Sequence, residues 1–242
     1  MTQTQRIDVL DDHGYVILHD VLGSDLTVVN SARVSYDKKS DELTEGDRRL
    51  IAFLAREGHT SPFRHASLQF EVYAPLMVAR QHWKYVAGSS FQEASGDNMT
   101  AWNESSRRYV TEEPTFYVPQ PDDWRSAPAN SKQGSGESFD ADSTQSYHTE
   151  LLEEYLDRGV ELYEQAMACG ICAEQARLFL PAYGLYVRYY WTASLQSVAH
   201  FVNQRLADDA QVEIQAYAKA VLALAREHFP VSIDALVTEA RE

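Results

Sequence analysis

The sequence predicts an α+β fold in a single domain. Three observations predict it: short apolar runs alternating with polar residues near the N-terminus and around residue 70, apolar residues at helical spacing through most of the C-terminal half, and no linker or whole-domain repeat that would divide the 242 residues. A chain of this length can bury a substantial core.

Taken in order, Ile7 to Leu10 and Tyr15 to Leu22 read as short strands around the turn Asp11-Asp12-His13-Gly14. Ser24 or Asp25 caps a helix that runs through Val34. Thr44-Glu45-Gly46-Asp47 opens another, whose Leu50, Ile51 and Leu54 fall at helical spacing before Gly58 stops it. Leu68, Phe70 and Val72 alternate with polar residues, the pattern of a half-buried strand, and Pro75 then starts a helix carrying Arg80 and Gln81. Between Ser126 and Ser146 the composition turns to Ser, Gly, Asp and Ala, which predicts a loop. The helical period returns from Tyr147 to Ala168 through Leu151, Leu152, Tyr155, Leu162 and Ala166. The C-terminal third is mainly helical, with Asp208 or Asp209 capping a helix from Ala210 towards Phe229.

A net charge of −15 and an isoelectric point near 4.9 argue against a general nucleic-acid or anionic-membrane binder, because such proteins need basic surface to neutralise phosphates. Any phosphate must therefore be met by a local basic pocket. No apolar run is long enough to span a bilayer and no charged-then-apolar leader opens the chain, so a cytoplasmic protein is expected. The two cysteines, Cys169 and Cys172, are spaced C-x-x-C, a redox pair or half of a zinc site. No further ligands stand at zinc spacing, and no metal is expected. Gly170 reads as a helix stop and Cys172 as the start of the next helix, a structural role.

The densest chemistry lies in Trp102-Asn103-Glu104-Ser105-Ser106-Arg107-Arg108-Tyr109, read with Ala79-Arg80-Gln81. A carboxylate, two hydroxyls and two guanidiniums suit a phosphorylated polar small molecule, since Arg offers phosphate a planar fork of donors. A mixed-charge octet is also the usual composition of a solvated loop or helix end.

The octet resembles the N-E-x-S-x-R-Y half of the signature of the flavin-dependent thymidylate synthases. The resemblance extends over most of the chain: Ile7-Asp8-Val9-Leu10-Asp11, Ala32-Arg33-Val34-Ser35-Tyr36, Gly58-His59-Thr60-Ser61-Pro62-Phe63-Arg64-His65 and Ala79-Arg80-Gln81 precede the octet. Phe116-Tyr117-Val118-Pro119, Leu180-Pro181, Leu185 to Thr192, Asn203-Gln204-Arg205 and Ala210 to Gln215 follow it. The resemblance implies a thymidylate synthase-complementing protein-like domain over residues 1–242, with a mixed or antiparallel sheet and flanking helices. It also implies transfer of a one-carbon unit from 5,10-methylenetetrahydrofolate to C5 of a uracil nucleotide, dUMP or UMP, with hydride from reduced FAD and NADPH as reductant. Homotetramers with shared active sites are implied too. Classical thymidylate synthases attack the uracil with a cysteine thiolate. Neither cysteine here sits in such a motif, and Ser106 reads as a nucleotide ligand rather than a nucleophile.

Carried over by position, Gln81, Glu104, Ser106, Arg108, Arg188 and Arg205 match the nucleotide site, with Lys84, Ser105 and Arg107 beside them. Arg108 and Arg188 are assigned to the phosphate and base ends, and Arg188 and Arg205 to the catalytic role. Arg188 is equally able to stack in the aromatic run Tyr186 to Trp191, and Arg205 to form an ordinary ion pair. Ser35, His59 and Ser61 match positions near the flavin or folate, although a histidine beside Gly-x-Ser-Pro is more often a turn residue. The cofactor side is completed by Arg64, Lys84, Tyr85, Val86, Glu104, Ser194, Gln196, His200 and Asp209.

Several of these positions depart from the family. Lys84-Tyr85-Val86 stands where the signature begins Arg-His-Arg, and nineteen residues separate Val86 from Ser106, twelve more than the signature allows. Part of the insertion, Ser90-Phe91-Gln92-Glu93-Ala94-Ser95-Gly96, is a degenerate copy of Ala101 to Arg107. Only the second copy keeps Arg-Tyr and runs on in register to Phe116. Ser194, Gln196 and His200 replace Asn, Arg and Asn, Arg64 replaces an acid and Asp209 a histidine. Either flavin binds through altered contacts or the chain has changed chemistry or substrate. Members that methylate UMP for polyoxin-type nucleoside antibiotics resemble it in kind. A rival from another class is a uracil-nucleotide-binding homologue without flavin chemistry.

Overall fold

The computed structural model describes residues 5–10, 12–92, 101–105, 113–129, 134–139 and 143–238. Its chain divides into two compact units. The first is Met1–Val72, Gln81–Asn103 and Tyr189–Glu242, and the second is Tyr73–Arg80 and Glu104–Arg188. The fold is α+β, as expected, with a five-stranded sheet in the order β1-β2-β3-β5-β4.

In the first unit β1 (Gln5–Val9) and β2 (Gly14–Leu22) form an antiparallel hairpin in which Ile7 faces Val16. The turn between them takes Asp12 to φ 63°, a left-handed conformation that Asp tolerates better than most residues. Ser24 precedes α1 (Asp25–Arg33), and its N–H donates to the Thr27 hydroxyl at 3.0 Å. Thr44 caps α2 (Glu45–Arg56), accepting from the Asp47 N–H, while the Asp47 carboxylate accepts from the Thr44 N–H at 2.9 Å. Gly58 ends that helix at φ 69°. Asp47 is fully buried and also meets Arg33 at 2.5 Å and the Ser40 hydroxyl at 3.1 Å. Burial alone would raise its pKa, but the hydrogen bonds from Thr44 and Ser40 and the Arg33 charge hold it below the ordinary carboxylate value.

The strands β3 (Ser67–Pro75), β4 (Ala101–Glu104) and β5 (Tyr186–Ser194) complete the sheet. The octet thus begins as an edge strand rather than as a loop or helix end. Leu68, Phe70 and Val72 of β3 and Tyr189, Trp191 and Ala193 of β5 are buried. The helices α6 (Leu195–Arg205), α7 (Val212–His228) and α8 (Pro230–Leu236) add Val198, Phe201, Ile214, Leu224 and Ile233 to the core. The Asp25 carboxylate accepts from the N–H groups of Val231 and Ser232, both at 2.9 Å, and so caps α8 from the start of α1. Neither Asp208 nor Asp209 caps α7. Gln211 is its N-cap, and both aspartates are exposed.

Pro75 closes β3 rather than opening a helix, and α3 (Leu76–Gln92) follows it. In the second unit the first two N–H groups of α3, which no helical carbonyl can satisfy, donate to Leu185 O at 2.9 Å and Tyr183 O at 3.0 Å. The long helix α4 (Ser143–Ala168) receives the Trp124 indole N–H on its Thr149 hydroxyl at 2.9 Å. Gly170 follows at φ 82°, and Cys172 is the N-cap of the short α5 (Ala173–Ala176), the structural placement expected for this pair. Both thiols are free and exposed. No helix among the described residues is long and apolar enough to cross a membrane, and none of their His, Cys, Asp and Glu side chains form a metal-holding group.

Candidate active site

Within the first unit one of the expected residues, Arg205, lies near a buried imidazole that the sequence analysis did not single out. His82 is 1% exposed. Its Nδ1 lies 2.9 Å from the Tyr189 hydroxyl, and Trp102, Tyr189, Trp191 and Phe201 surround its ring, with centroids 5.5, 5.6, 4.4 and 4.1 Å away. Burial, reinforced by the nearby Arg205 charge, pushes its pKa down to about 3, so the ring is neutral at working pH. Arg205, half-buried at the end of α6, is thus electrostatically coupled to this cluster. Gln81, one residue earlier on α3, donates its amide N–H to the Gln211 side chain at the start of α7.

The second unit holds Glu104, Ser105 and Arg188. Arg188 lies on strand β5, although the C-terminal third reads as mainly helical, because β-branched and aromatic residues surround it and alternate between buried and exposed positions. The Ser105 N–H donates to Arg188 O at 2.7 Å, and the Arg188 N–H donates to the Ser105 hydroxyl at 3.2 Å. Ser105 also opens onto a groove of about 390 Å³ with Leu76, Leu180, Leu185 and Val187 as apolar walls and Arg177 as its cation. Arg177 was missed. The available signal was its place just before Leu180-Pro181, already part of the resemblance. Gly159 of α4 backs this segment: a Cβ there would stand 2.9 Å from Phe179 O and 2.8 Å from Pro181 Cδ.

The cofactor-side residues are more scattered. Ser35, His59, Ser61, Lys84 and Asp209 are exposed, and His59 packs edge-on to Phe53 at 5.9 Å. Arg64 is half-buried and donates to the Thr60 hydroxyl at 3.1 Å. Ser194 is buried as the N-cap of α6, accepting from the Ser197 N–H at 3.2 Å. Gln196 Oε1 is buried with no hydrogen-bond partner among the described residues. Burial lowers the His200 pKa below the ordinary histidine value. Ser106, Arg107 and Arg108 lie outside the described residues, as do the side chains of Tyr85 and Val86.

The family model described as thymidylate synthase complementing protein matches residues 17–231, and the chain belongs to that family. It is an enzyme of this type. The flavin-dependent thymidylate synthase of Thermotoga neapolitana is 34% identical over 233 residues, covering 96% of this chain and 94% of that one. The enzyme of the same name from Wolbachia pipientis wMel is 33% identical over 226 residues, 93% of this chain and 74% of that one. Two crystal structures of the UMP/dUMP methylase PolB from Streptomyces cacaoi superpose with a TM-score of 0.74 over 92% of this chain. That with 5-Br UMP is 27% identical and that with 5-Br dUMP is 29%, over 93% and 94% of their own lengths.

Proposed function

We propose that the chain is an FAD- and 5,10-methylenetetrahydrofolate-dependent methylase of C5 in a uracil nucleotide, UMP as well as dUMP, with NADPH as reductant. The observation that carries the reading is the groove at Ser105: apolar walls for a base and sugar, a hydroxyl at one side and the Arg177 guanidinium for a phosphate. The family's flavin and the uracil nucleotides bound by PolB support the substrate class. By the resemblance, the further nucleotide contacts are assigned to Arg188, to the octet residues Glu104 to Arg108, and to Gln81 and Arg205.

The described cofactor-side residues fit a flavin. Gln196 Oε1 is a buried acceptor without a donor, which suits an imide or ribityl proton, and neutral His200 is able to donate or accept. Arg64 and Lys84 are the cations for its pyrophosphate. The bound flavin, once reduced, supplies hydride, and the folate supplies the carbon. The protein's own task is positioning: arginines hold the phosphate and the developing charge on uracil oxygens, and the aromatic surroundings exclude water. Exposed Tyr147, Leu151 and Tyr155, spaced four residues apart on α4, give an apolar stripe that suits the homotetramer with shared sites, and sedimentation at four chain masses would support it. We take both units and all of residues 1–242 as one cytoplasmic domain, since the family match runs through both.

Tritium release from C5-labelled UMP and dUMP, with FAD, NADPH and folate supplied, tests the reading. A merely apolar wall discriminates against an added hydroxyl only about 10²-fold, so both nucleotides should react. Arg177→Ala should raise KM by about 10- to 100-fold, the worth of one charge-assisted hydrogen bond. No release from either nucleotide, with uracil-nucleotide binding retained and no flavin spectrum, would favour the binding homologue instead. One observation points that way: Ser194 is occupied as a helix cap and His200 is uncharged, so these two altered positions add no cation for a flavin phosphate.

A further inference from the structure

His82 is an expensive residue at its position. Its Nε2 is buried with no hydrogen-bond partner among the described residues, so it has lost water without replacing it. A phenyl ring would fill nearly the same space between Phe201 and Trp191 without that cost, and packing alone does not account for histidine. What the imidazole does hold is the Tyr189 hydroxyl, through Nδ1. Trp102 stacks on Tyr189 with centroids 3.9 Å apart and planes 17° off parallel, and meets His82 edge-on. Trp102 lies on β4 as the first residue of the octet, and Tyr189 follows Arg188 on β5.

We propose that His82 is a positioning residue: by fixing Tyr189 through one hydrogen bond it fixes Trp102, and with it the course of β4, the strand on which the nucleotide-binding octet begins. The inference rests on the octet's role in binding a uracil nucleotide. A merely structural histidine and a positioning one give opposite expectations on replacement by Phe. The first alters stability and leaves affinity alone. The second leaves stability equal or higher while affinity falls.

The test uses the full chain loaded with flavin, as wild type, His82→Phe, His82→Asn and Tyr189→Phe. The readouts are thermal melting at pH 8, near-ultraviolet circular dichroism of the Trp102–Tyr189 pair, calorimetric Kd for dUMP and UMP, and KM against kcat. His82→Phe should melt at or above wild type, change the near-ultraviolet spectrum, and raise Kd and KM about tenfold with kcat within about twofold. Asn places an amide where Nδ1 stood, so His82→Asn should recover part of the affinity. If His82→Phe fails to fold, Tyr189→Phe, which removes one oxygen, is expected to show the same rise. Unchanged Kd and KM in both variants would overturn the proposal. Should wild type bind neither nucleotide, the functional reading fails first. The spectrum then judges His82 alone, and an unaltered spectrum in both variants overturns its hold on the pair.

Discussion

Replacing His82 by Phe should remove a specific acid sensitivity from the protein. The folded state holds this imidazole at a pKa of about 3, whereas in the unfolded chain it titrates near its ordinary 6.5. Above pH 6.5 both states are neutral and the group contributes no pH dependence. Below it the unfolded state takes up a proton that the folded state refuses, so stability falls as pH drops from 6.5 towards 3. At pH 5 the difference is 1.5 units, on the order of 2 kcal/mol. Urea unfolding of wild type and His82→Phe at pH 7.5 and pH 5 measures it. His200, whose pKa burial also lowers, is present in both proteins and cancels in the comparison. The stability difference between the two should move by about 2 kcal/mol in favour of the variant at the lower pH. A difference constant to within roughly 0.5 kcal/mol would show that the folded state admits water or a proton to this ring, and the account of the cluster as dry would be wrong.

Two further substitutions probe the two units separately. Asp47→Ala removes a buried carboxylate that meets Arg33 and accepts from Thr44 and Ser40, and should cost about 3–5 kcal/mol in denaturant unfolding at pH 7. A loss below about 1 kcal/mol would mean that Arg33 readily finds solvent. Gly159→Ala forces a methyl against Phe179 O and Pro181 Cδ. It should displace the Arg177 segment and raise nucleotide KM several-fold more than it lowers kcat; equal KM values would show that the segment yields without consequence for the groove.

Much of this fold was legible because its punctuation is local. Ser24, Thr44, Gly58 and Gly170 mark helix ends by their own chemistry, and each stands where the structure starts or stops a helix. Legibility failed where long-range partners decide. Pro75 reads as a helix start in isolation, yet its residue stays in β3 while the carbonyls of Leu185 and Tyr183 receive the next two N–H groups. Glu71 reads as the polar half of an alternating strand, but it is 9% exposed and bound by groups from other strands. Gln211 displaces Asp208 and Asp209 as the cap of α7. The motifs located Ser105 and Arg188, whose backbone pairing at 2.7 Å brings them together. They did not reveal Arg177, which enters only through the shape of the groove, or His82, whose burial no spacing announces.

Adjacent tyrosines on β5 show how burial and partners together decide charge. Tyr189 and Tyr190 are consecutive on a strand and so point to opposite faces of the sheet. On the covered face the Tyr189 hydroxyl meets His82, and desolvation, with the Arg205 charge nearby, keeps the His82 ring neutral. On the other face the Tyr190 hydroxyl lies 3.1 Å from His19, whose Nε2 is 2.9 Å from the Glu71 carboxylate, and Tyr15 donates to the same carboxylate at 2.8 Å. Burial there pushes the Glu71 pKa up, but hydrogen bonds from His19, Tyr15 and Tyr190 outweigh it and hold the group ionised below its ordinary value. The two clusters therefore fail in different windows of acid: His82 opposes folding from pH 6.5 downwards, while Glu71 withdraws its contribution only below its ordinary 4.5. His82 stays uncharged across the neutral range, so titration of this ring does not disturb the aromatic stack at the start of the octet.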